Sequence, residues 1–378
     1  MKIVADDKIP FLKGVLEKYA EVIYLPGDII TKSHLLDADA LLTRSITQCN
    51  EELLSNTSVK FISSATIGDD HIDKDYCFSN NIIYTTAIGC NAAAVEQYFT
   101  AGLLALSEKY KIELTGKTIG IIGVGSIGKR VQKVCELLGL EVLLNDPPRE
   151  RTEGNADFST LEEIQEKADI ITLHVPLTYG GEDKTFHLLD QLFFDGLKKP
   201  VVLINSSRGA AIDSIALKNA IEEGKIKHTI IDVWEGEPSI IIALMDLINI
   251  ATPHIAGYTL EGKANGTAMV VNAVADFFKL GLKDWKPDIP SSSTMLLIDR
   301  HSLSEKEALH KIFHEVYPIF ADDQQLRAKP DKFEELRRDY NYRRENNTFF
   351  LPSKGVPDQL YQKLPELGFQ FHDLEINI

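Results

Sequence analysis

A glycine-rich segment at residues 118–128 carries the clearest chemical signal in the sequence. It reads TIGIIGVGSIG, so an apolar, β-branched run leads directly into Gly123-x-Gly125-x-x-Gly128. Such glycines permit a tight turn between a strand and a helix, and they let a pyrophosphate approach the backbone N–H groups at the helix N-terminus. Residues 129–138 continue the segment with apolar residues at helical spacing. We therefore interpret it as a dinucleotide-binding strand–turn–helix unit.

A carboxylate follows the next predicted strand and indicates which dinucleotide is bound. Asp146 stands just past the end of the predicted strand Glu141–Leu144. In this position a carboxylate accepts hydrogen bonds from the adenosine ribose and repels a ribose 2′-phosphate, which favours NAD over NADP. Arg149 lies three residues further on and would act in the opposite direction, but we give the strand-end carboxylate more weight. A tight turn followed by a surface Asp is the alternative interpretation.

Three ionisable side chains follow later apolar runs, each of which predicts a strand of a parallel sheet. They are Arg208, Glu237 and His254. Arginine can hold a carboxylate at two points, histidine exchanges a proton at neutral pH, and a glutamate beside the imidazole can orient it. With NAD, this set suits the oxidation of a 2-hydroxy acid. The alternative roles are a helix cap, a solvated loop carboxylate and a core histidine.

Composition narrows the class of protein. The 378 residues carry a formal net charge of −16, which argues against a nucleic-acid partner but permits a small anionic substrate. The four cysteines lack ligand spacing, and His310 with His314 has no further ligands nearby, so we predict free thiols and no metal site. We find neither a signal peptide nor a membrane-spanning run and expect a cytoplasmic protein without a membrane partner.

Short apolar runs alternate with helical segments along most of the chain, which predicts an α/β fold with parallel sheets. We expect a Rossmann-type doubly wound parallel sheet, a second flavodoxin-like α/β substrate domain and a small C-terminal α/β dimerisation domain. The predicted boundaries are residues 1–93 for the substrate domain, completed by a returning helix at 258–285, then 94–257 for the NAD-binding domain and 286–378 for the C-terminal domain. A helix is also predicted at Pro10–Tyr19.

Four motifs occur in an order and at a spacing that resemble a known family. They are GVGSIG, NSSRGA, DVWEGEP and TPHIAG, between residues 120 and 257. On these motifs the sequence resembles the D-isomer-specific 2-hydroxyacid dehydrogenases over its first 285 residues. The resemblance implies that Arg208, Glu237 and His254 are catalytic and that Ser45, Thr66 and Tyr258 bind the substrate. It implies a cofactor site formed by Gly123, Gly125, Ser126, Ile127, Gly128, Asp146, Val175, Ser206, Ser207, Asp232 and Gly257.

Further segments resemble one branch of that family. They are TRSIT (43–47), GCNAAAVEQYF (89–99), NDPPR (145–149) and HIAGYTLEGKANGT (254–267). The branch implies NAD-dependent oxidation of 4-phospho-D-erythronate to its 2-oxo acid in vitamin B6 biosynthesis. Two alternatives stay open: another phosphorylated 2-hydroxy acid such as 3-phosphoglycerate, with a regulatory C-terminal domain, or a non-catalytic NAD-sensing scaffold.

The segment Gly281–Ile378 is short for an independent core. We expect a first strand at Met295–Asp299, a helix capped by Ser304, and a last strand at Gln370–Ile376, with one or two helices in all. Fewer than about 100 residues rarely enclose a stable core alone. We therefore predict a homodimer in which this segment is buried against its symmetry mate.

Overall fold

The structure, a computed structural model, describes residues 1–154, 157–291, 294–296, 303–352 and 356–372. The chain divides into two units. Met1–Asn91 with Thr259–Pro290 forms the first unit, and Ala92–Tyr258 with Ser291–Ile378 forms the second. The residues after 290 thus cluster with the dinucleotide-binding part of the chain. The three-domain division remains a prediction.

The first unit is a five-stranded, fully parallel sheet in the order β2-β1-β3-β4-β5. Its elements in the first 91 residues are β1 (Lys2–Asp6), β2 (Glu21–Leu25), α1 (Lys32–Leu35), β3 (Ala40–Thr43), α2 (Glu51–Leu54), β4 (Phe61–Ser64), α3 (Lys74–Ser79) and β5 (Ile83–Thr86). β1, β3 and β4 are almost wholly buried, as expected for the inner strands of a sheet covered on both faces.

The predicted helix at Pro10–Tyr19 is wrong, because the structure has turns there. Leu12 and Leu16 are fully buried, so the apolar spacing that predicted a helix does face the core. However, Phe11 and Gly14 have left-handed φ angles of 60° and 87°. A run of right-handed helix cannot pass through such residues. The buried leucines are therefore presented by consecutive turns.

The second unit contains a six-stranded, fully parallel sheet in the order β11-β10-β9-β8-β6-β7. Its elements are α4 (Ala92–Tyr110), β6 (Thr118–Ile122), α5 (Ser126–Leu137), β7 (Glu141–Asn145), α6 (Pro147–Glu153), α7 (Leu161–Lys167), β8 (Ile170–Leu173), α8 (Gln191–Gly196), β9 (Val201–Asn205), α9 (Ser214–Glu222), β10 (Ile226–Ile231), α10 (Ile242–Met245) and β11 (Ile250–Ala251). After β7 the chain crosses to the far side of β6. This reversal leaves a crevice beyond the carboxyl ends of β6 and β8, where open α/β sheets bind ligands.

The returning helix, α11 (Leu260–Phe278), belongs to the first unit. It lies within the range 258–285 that the sequence predicts for this helix. Thr259 caps it by accepting a hydrogen bond from the N–H of Gly262. Val270, Val271 and Val274 are buried in the same apolar cluster as Ile3 and Phe61 of the sheet. Within the described residues, no helix combines the length and apolarity needed to cross a bilayer.

The C-terminal segment is richer in helix than predicted. It contains β12 (Thr294–Met295), α12 (Glu305–Val316), α13 (Ile319–Ala328), α14 (Phe333–Arg338), β13 (Phe349–Leu351), α15 (Asp358–Glu366) and β14 (Gln370–Phe371). Its parallel sheet has the order β12-β13-β14. Ser304 caps α12 as predicted. The strands predicted at Met295–Asp299 and Gln370–Ile376 extend past residues 296 and 372, and those final parts lie outside the described residues.

Part of this segment packs against the dinucleotide-binding elements of its own chain. α12 contacts α4, and α13 contacts β11. Leu326 and Phe333 are buried in one apolar cluster with Ile231 and Ala251, and Asp323 accepts a hydrogen bond from the N–H of Ala251 at 2.8 Å. The segment therefore buries much of its apolar surface within one subunit.

A close approach between the loops after β9 and β10 generates a prediction. A Cβ placed on Gly209 would overlap the carbonyl group of Trp234 and the amide nitrogen of Glu235. We expect Gly209→Ala to lower the free energy of unfolding by about 1–3 kcal/mol, because two backbone segments must move apart. Urea denaturation measures the effect. Gly180→Ala is the control, since, its chain neighbours aside, no atom of the described residues lies within 4 Å of its Cβ position. Equal midpoints for both variants would contradict the prediction.

Candidate active site

The glycine-rich turn has the geometry that pyrophosphate binding requires. Gly123 has a φ angle of 89°, and a Cβ there would lie 2.7 Å from the carbonyl oxygen of His174. A Cβ on Gly128 would overlap the carbonyl oxygen of Gly123. Gly125, the N-cap of α5, has open space at its Cβ position among the described residues. Two glycines thus close the turn, while the third leaves room beside the helix N-terminus.

Asp146 joins this turn to the end of β7. Its Oδ2 accepts a hydrogen bond from the N–H of Val124 at 2.8 Å, and its Oδ1 accepts one from the N–H of Arg149 at 3.2 Å. The guanidinium of Arg149 forms an ion pair with Glu153, because its Nε and Nη2 donate to both carboxylate oxygens at 2.8 and 2.6 Å. Its Nη1 donates to the carbonyl of Val124 at 2.8 Å. Glu153 therefore offsets part of the positive charge that Arg149 brings to this turn.

Other predicted cofactor residues lie at neighbouring strand ends of the same sheet. Val175 follows β8 and lies against Gly123. Ser207 donates from its N–H and Oγ to Asn205 Oδ1 at 3.0 and 2.8 Å. The Oγ of Ser206 is buried and has no hydrogen-bond partner in the described part of the chain. Ser126 and Ile127 open α5. These features fit a dinucleotide.

The three predicted catalytic residues follow adjacent strands, with Arg208 after β9, Glu237 after β10 and His254 after β11. His254 Nδ1 lies 2.5 Å from Glu237 Oε1. Glu237 Oε2 accepts a hydrogen bond from the N–H of Trp234 at 3.2 Å, which orients the carboxylate. Burial raises the pKa of Glu237, but the nearby His254 and Arg337 outweigh this effect, so the pKa is lowered. An ionised Glu237 favours the tautomer of His254 in which Nδ1 carries the proton. The lone pair of Nε2 is then able to accept a proton.

The loop that carries His254 is fixed by a buried carboxylate. Asp232 is fully buried and accepts hydrogen bonds from Thr252 Oγ1 and from the N–H groups of Ile255 and Ala256 at 2.7–2.9 Å. Burial raises the pKa of Asp232. The carbonyl of Asp232 also accepts from the N–H of His254 at 2.7 Å, and His254 has a left-handed φ angle of 57°. These bonds hold a backbone conformation that histidine rarely adopts.

Arg208 is held at its backbone and at its guanidinium. The side chain of Asn205 donates to the carbonyl of Arg208 at 2.9 Å, and Arg208 Nη1 donates to the carbonyl of Ser207 at 2.8 Å. Its side chain is partly exposed. The roles predicted for Arg208, Glu237 and His254 stay predictions, although the structure brings Glu237 and His254 into direct contact.

Two of the predicted substrate residues belong to the first unit. Ser45 is exposed in the turn after β3, and Thr66 follows β4, with its Oγ1 2.7 Å from Ser64 Oγ. Their substrate-binding role stays a prediction. Arg44, in the TRSIT segment, received no role from the sequence. The structure pairs its Nε with the buried Asp6 at 2.9 Å.

Two arginines near Tyr258 received no role from the sequence. Arg337 Nε donates to the hydroxyl oxygen of Tyr258 at 3.0 Å, and Arg343 donates to the carbonyls of Ile255 and Tyr258 at 2.9 and 3.4 Å. Both lie in the segment RRDYNYRR (337–344). Its density of arginine and tyrosine was the available signal, but nothing in the spacing connects it to a loop about 80 residues earlier.

The geometry around Asp146 generates a prediction about cofactor choice. Asp146→Ala should weaken NAD binding roughly tenfold and narrow the preference for NAD over NADP, since the change removes a ribose acceptor and a repulsive charge. Glu153→Gln should also narrow the preference, by releasing Arg149. Calorimetric titration with both cofactors measures the effects, with Glu150→Gln as the control on the same helix. Equal losses for both cofactors would indicate a folding defect instead.

Comparisons with known proteins agree with this geometry. Residues 86–256 match the model of the D-isomer specific 2-hydroxyacid dehydrogenase, NAD binding domain. Residues 293–368 match a domain of unknown function, DUF3410. The matched range from 86 to 256 includes the glycine turn, Asp146 and all three predicted catalytic residues. The chain is an NAD-dependent 2-hydroxyacid dehydrogenase, and NAD is its cofactor.

Solved structures show the same fold. A NAD-bound 3-phosphoglycerate dehydrogenase of Entamoeba histolytica is 25% identical, with a TM-score of 0.63, and the match covers 76% of this chain and 99% of that chain. A D-lactate dehydrogenase of Aquifex aeolicus, in complex with NAD and lactic acid, is 26% identical, with a TM-score of 0.61, over 75% of this chain and 97% of that chain.

Curated relatives match over nearly their whole length. The erythronate-4-phosphate dehydrogenase of Bacteroides thetaiotaomicron is 48% identical over 354 residues, which cover 92% of this chain and 98% of the relative. The enzyme of the same name from Escherichia coli O157:H7 is 39% identical, over 93% of this chain and 94% of the relative. The chain therefore belongs to the erythronate-4-phosphate dehydrogenase family, a branch of the D-isomer-specific 2-hydroxyacid dehydrogenases.

Proposed function

We propose that the chain oxidises 4-phospho-D-erythronate to (R)-3-hydroxy-2-oxo-4-phosphooxybutanoate, with NAD as acceptor, in pyridoxal 5′-phosphate biosynthesis. The observation that carries the chemistry is the 2.5 Å contact between His254 Nδ1 and Glu237 Oε1, on strand ends next to that of Arg208. The substrate comes from the relatives named erythronate-4-phosphate dehydrogenase, at up to 48% identity. Vitamin B6 biosynthesis is the setting implied by the family branch that the sequence motifs resemble.

Each side chain has one task in this reaction. Arg208 holds the substrate carboxylate through paired N–H···O bonds. His254 Nε2 removes the proton of the C2 hydroxyl, and the resulting imidazolium shares its Nδ1 proton with the ionised Glu237. A bound NAD would supply the acceptor for the hydride that leaves C2. Gly123, Gly125, Gly128 and Asp146 would hold its pyrophosphate and ribose.

Another phosphorylated 2-hydroxy acid is the main alternative, because the 3-phosphoglycerate dehydrogenase of Entamoeba histolytica shares the fold. Two findings favour the C4 substrate. The relatives with the higher identity carry the erythronate-4-phosphate name, and the C-terminal match is to DUF3410 rather than to a regulatory amino-acid-binding domain. A panel of 4-phospho-D-erythronate, 3-phosphoglycerate and D-lactate, followed by NADH absorbance, tests the proposal. A higher kcat/KM for 3-phosphoglycerate than for 4-phospho-D-erythronate would refute the proposal. No turnover of any of the three substrates would favour the alternative of a non-catalytic NAD-sensing scaffold.

The proposed base generates a prediction. His254→Asn should lower kcat by about 10²–10⁴-fold while leaving NAD affinity unchanged, since the amide cannot accept the hydroxyl proton. Stopped-flow NADH formation and NAD titration measure the two quantities. His314→Asn is the control, because His314 is exposed on α12. Near-normal turnover of the His254 variant would show that His254 is not the base that accepts the hydroxyl proton.

We also propose that the chain forms a homodimer through its C-terminal segment. The three-stranded sheet has short edge strands, and beside β14 the exposed ring of Tyr361 stacks on Phe371 with centroids 4.3 Å apart. Among the described residues β14 is an edge strand, and an aromatic pair at such an edge suits a self-complementary contact. This support is independent of the match to DUF3410.

The proposed dimer generates a prediction that keeps the full chain intact. Tyr361→Glu should shift the sedimentation coefficient towards the monomer at micromolar concentration, because it places a charge in the proposed contact. Phe78→Glu is the control, since Phe78 is 87% exposed and lies in the first unit. A Tyr361 variant that remains as dimeric as the wild type would place the contact elsewhere.

A further inference from the structure

One arginine of the C-terminal segment reaches the catalytic pair. Arg337 lies on α14, and its Nη1 is 4.0 Å from Glu237 Oε1, the oxygen that contacts His254. Its Nε donates to the hydroxyl oxygen of Tyr258 at 3.0 Å, and its guanidinium carbon lies 5.9 Å from the centre of the Tyr258 ring. The side chain is only 22% exposed. A mostly buried cation therefore faces the carboxylate that orients the proposed base.

The helix that carries Arg337 is anchored in the core of the second unit. Phe333, at its first turn, is 1% exposed and belongs to the apolar cluster that includes Trp234 and Ala251, and Leu336 packs against that cluster. Trp234 also donates the backbone N–H bond to Glu237. The position of Arg337 relative to Glu237 is thus set by packing on both sides, which a solvent-exposed ion pair would lack.

A second arginine holds the backbone of the loop that carries His254. Arg343 donates to the carbonyls of Ile255 at 2.9 Å and Tyr258 at 3.4 Å, and also to that of Ala256. Its guanidinium lies 4.4 Å from the centre of the Tyr317 ring. The C-terminal segment therefore fixes this loop through its carbonyls, while Asp232 fixes it through its amides.

We propose that Arg337 is a positioning residue for proton transfer, fixing the Glu237 carboxylate and the Tyr258 hydroxyl around His254 from the C-terminal segment of the same chain. The proposal rests on the proposed function, because it assigns Arg337 to the proton-transfer step of that reaction. It gives the DUF3410 region a role inside the active site in addition to any role in assembly.

The charges around the pair define what removal of Arg337 should do. The groups that act electrostatically on Glu237 are His254 and Arg337, while Asp232 also acts on His254. Tyr258 and Glu334 face Arg337 itself. Arg337 lowers the pKa of Glu237. Without this cation the Glu237–His254 pair takes up a proton at higher pH, so the acid limb of the rate profile moves upwards.

The experiment compares Arg337→Gln with the wild type across pH 5–9. We expect kcat/KM at pH 7 to fall roughly tenfold and its acid limb to rise by about one pH unit, with NAD affinity within about twofold of the wild type. Arg338→Gln is the matched control, since Arg338 lies on the same helix but is 63% exposed and pairs with Asp339. It should keep the wild-type profile. An unshifted acid limb in Arg337→Gln would overturn the proposal, even if activity fell.

Arg337→Lys keeps the proposal testable if the glutamine variant fails to fold. This variant retains the positive charge, so the acid limb of its kcat/KM profile should stay at the wild-type pH. An acid limb displaced upwards by a full pH unit would overturn the proposal. The ¹³C signal of the Glu237 carboxylate, assigned by its loss in Glu237→Gln, gives a readout without substrate. Because Arg337 lowers the pKa of Glu237, the titration of this signal should move to higher pH in Arg337→Gln. Because this readout needs no turnover, it tests the role of Arg337 separately from the proposed reaction. A wild-type protein without activity would refute the proposed function and leave this test valid.

Discussion

The buried carboxylate of Asp232 is the interaction on which the active site depends. It stands at the carboxyl end of β10 and receives hydrogen bonds from Thr252 Oγ1 and from the N–H groups of Ile255 and Ala256. A fully buried carboxylate without such donors would be strongly destabilising. The loop after β11 must therefore fold around it, and this loop carries His254 at a left-handed φ angle of 57°. Asp232 was predicted to bind the cofactor, and that role stays a prediction.

Parallel strand order places cofactor and acid–base chemistry on one edge of the same sheet. The glycine turn follows β6, Asp146 follows β7, and Arg208, Glu237 and His254 follow β9, β10 and β11. Since all strands run in one direction, their carboxyl ends meet at this edge. The close approach at Gly209 brings the loop with Arg208 against Trp234 and Glu235, just before Glu237. Backbone packing thus sets the spacing of the ionisable groups.

The C-terminal segment alters how the site is stabilised. Arg343 is partly buried, donates to carbonyls of the loop after β11, and lies over the ring of Tyr317. Loss of this side chain would leave those carbonyls without its N–H donors. Besides the packing of this segment on α4 and β11 of its own chain, two of its arginines thus contact the loops that carry Glu237 and His254.

The sequence by itself determined the parallel α/β fold, the glycine turn, the strand-end carboxylate Asp146 and the candidates Arg208, Glu237 and His254, because these follow from local periodicity and from the geometry of strand ends. The tertiary structure alone decided the rest. The turns at residues 10–19 depend on left-handed residues that the apolar spacing does not reveal. The ion pair of Arg149 with Glu153 joins two side chains whose partners the residue types left open. The approach of Arg337 to Glu237 joins positions about 100 residues apart, and only packing of α14 on the sheet brings them together.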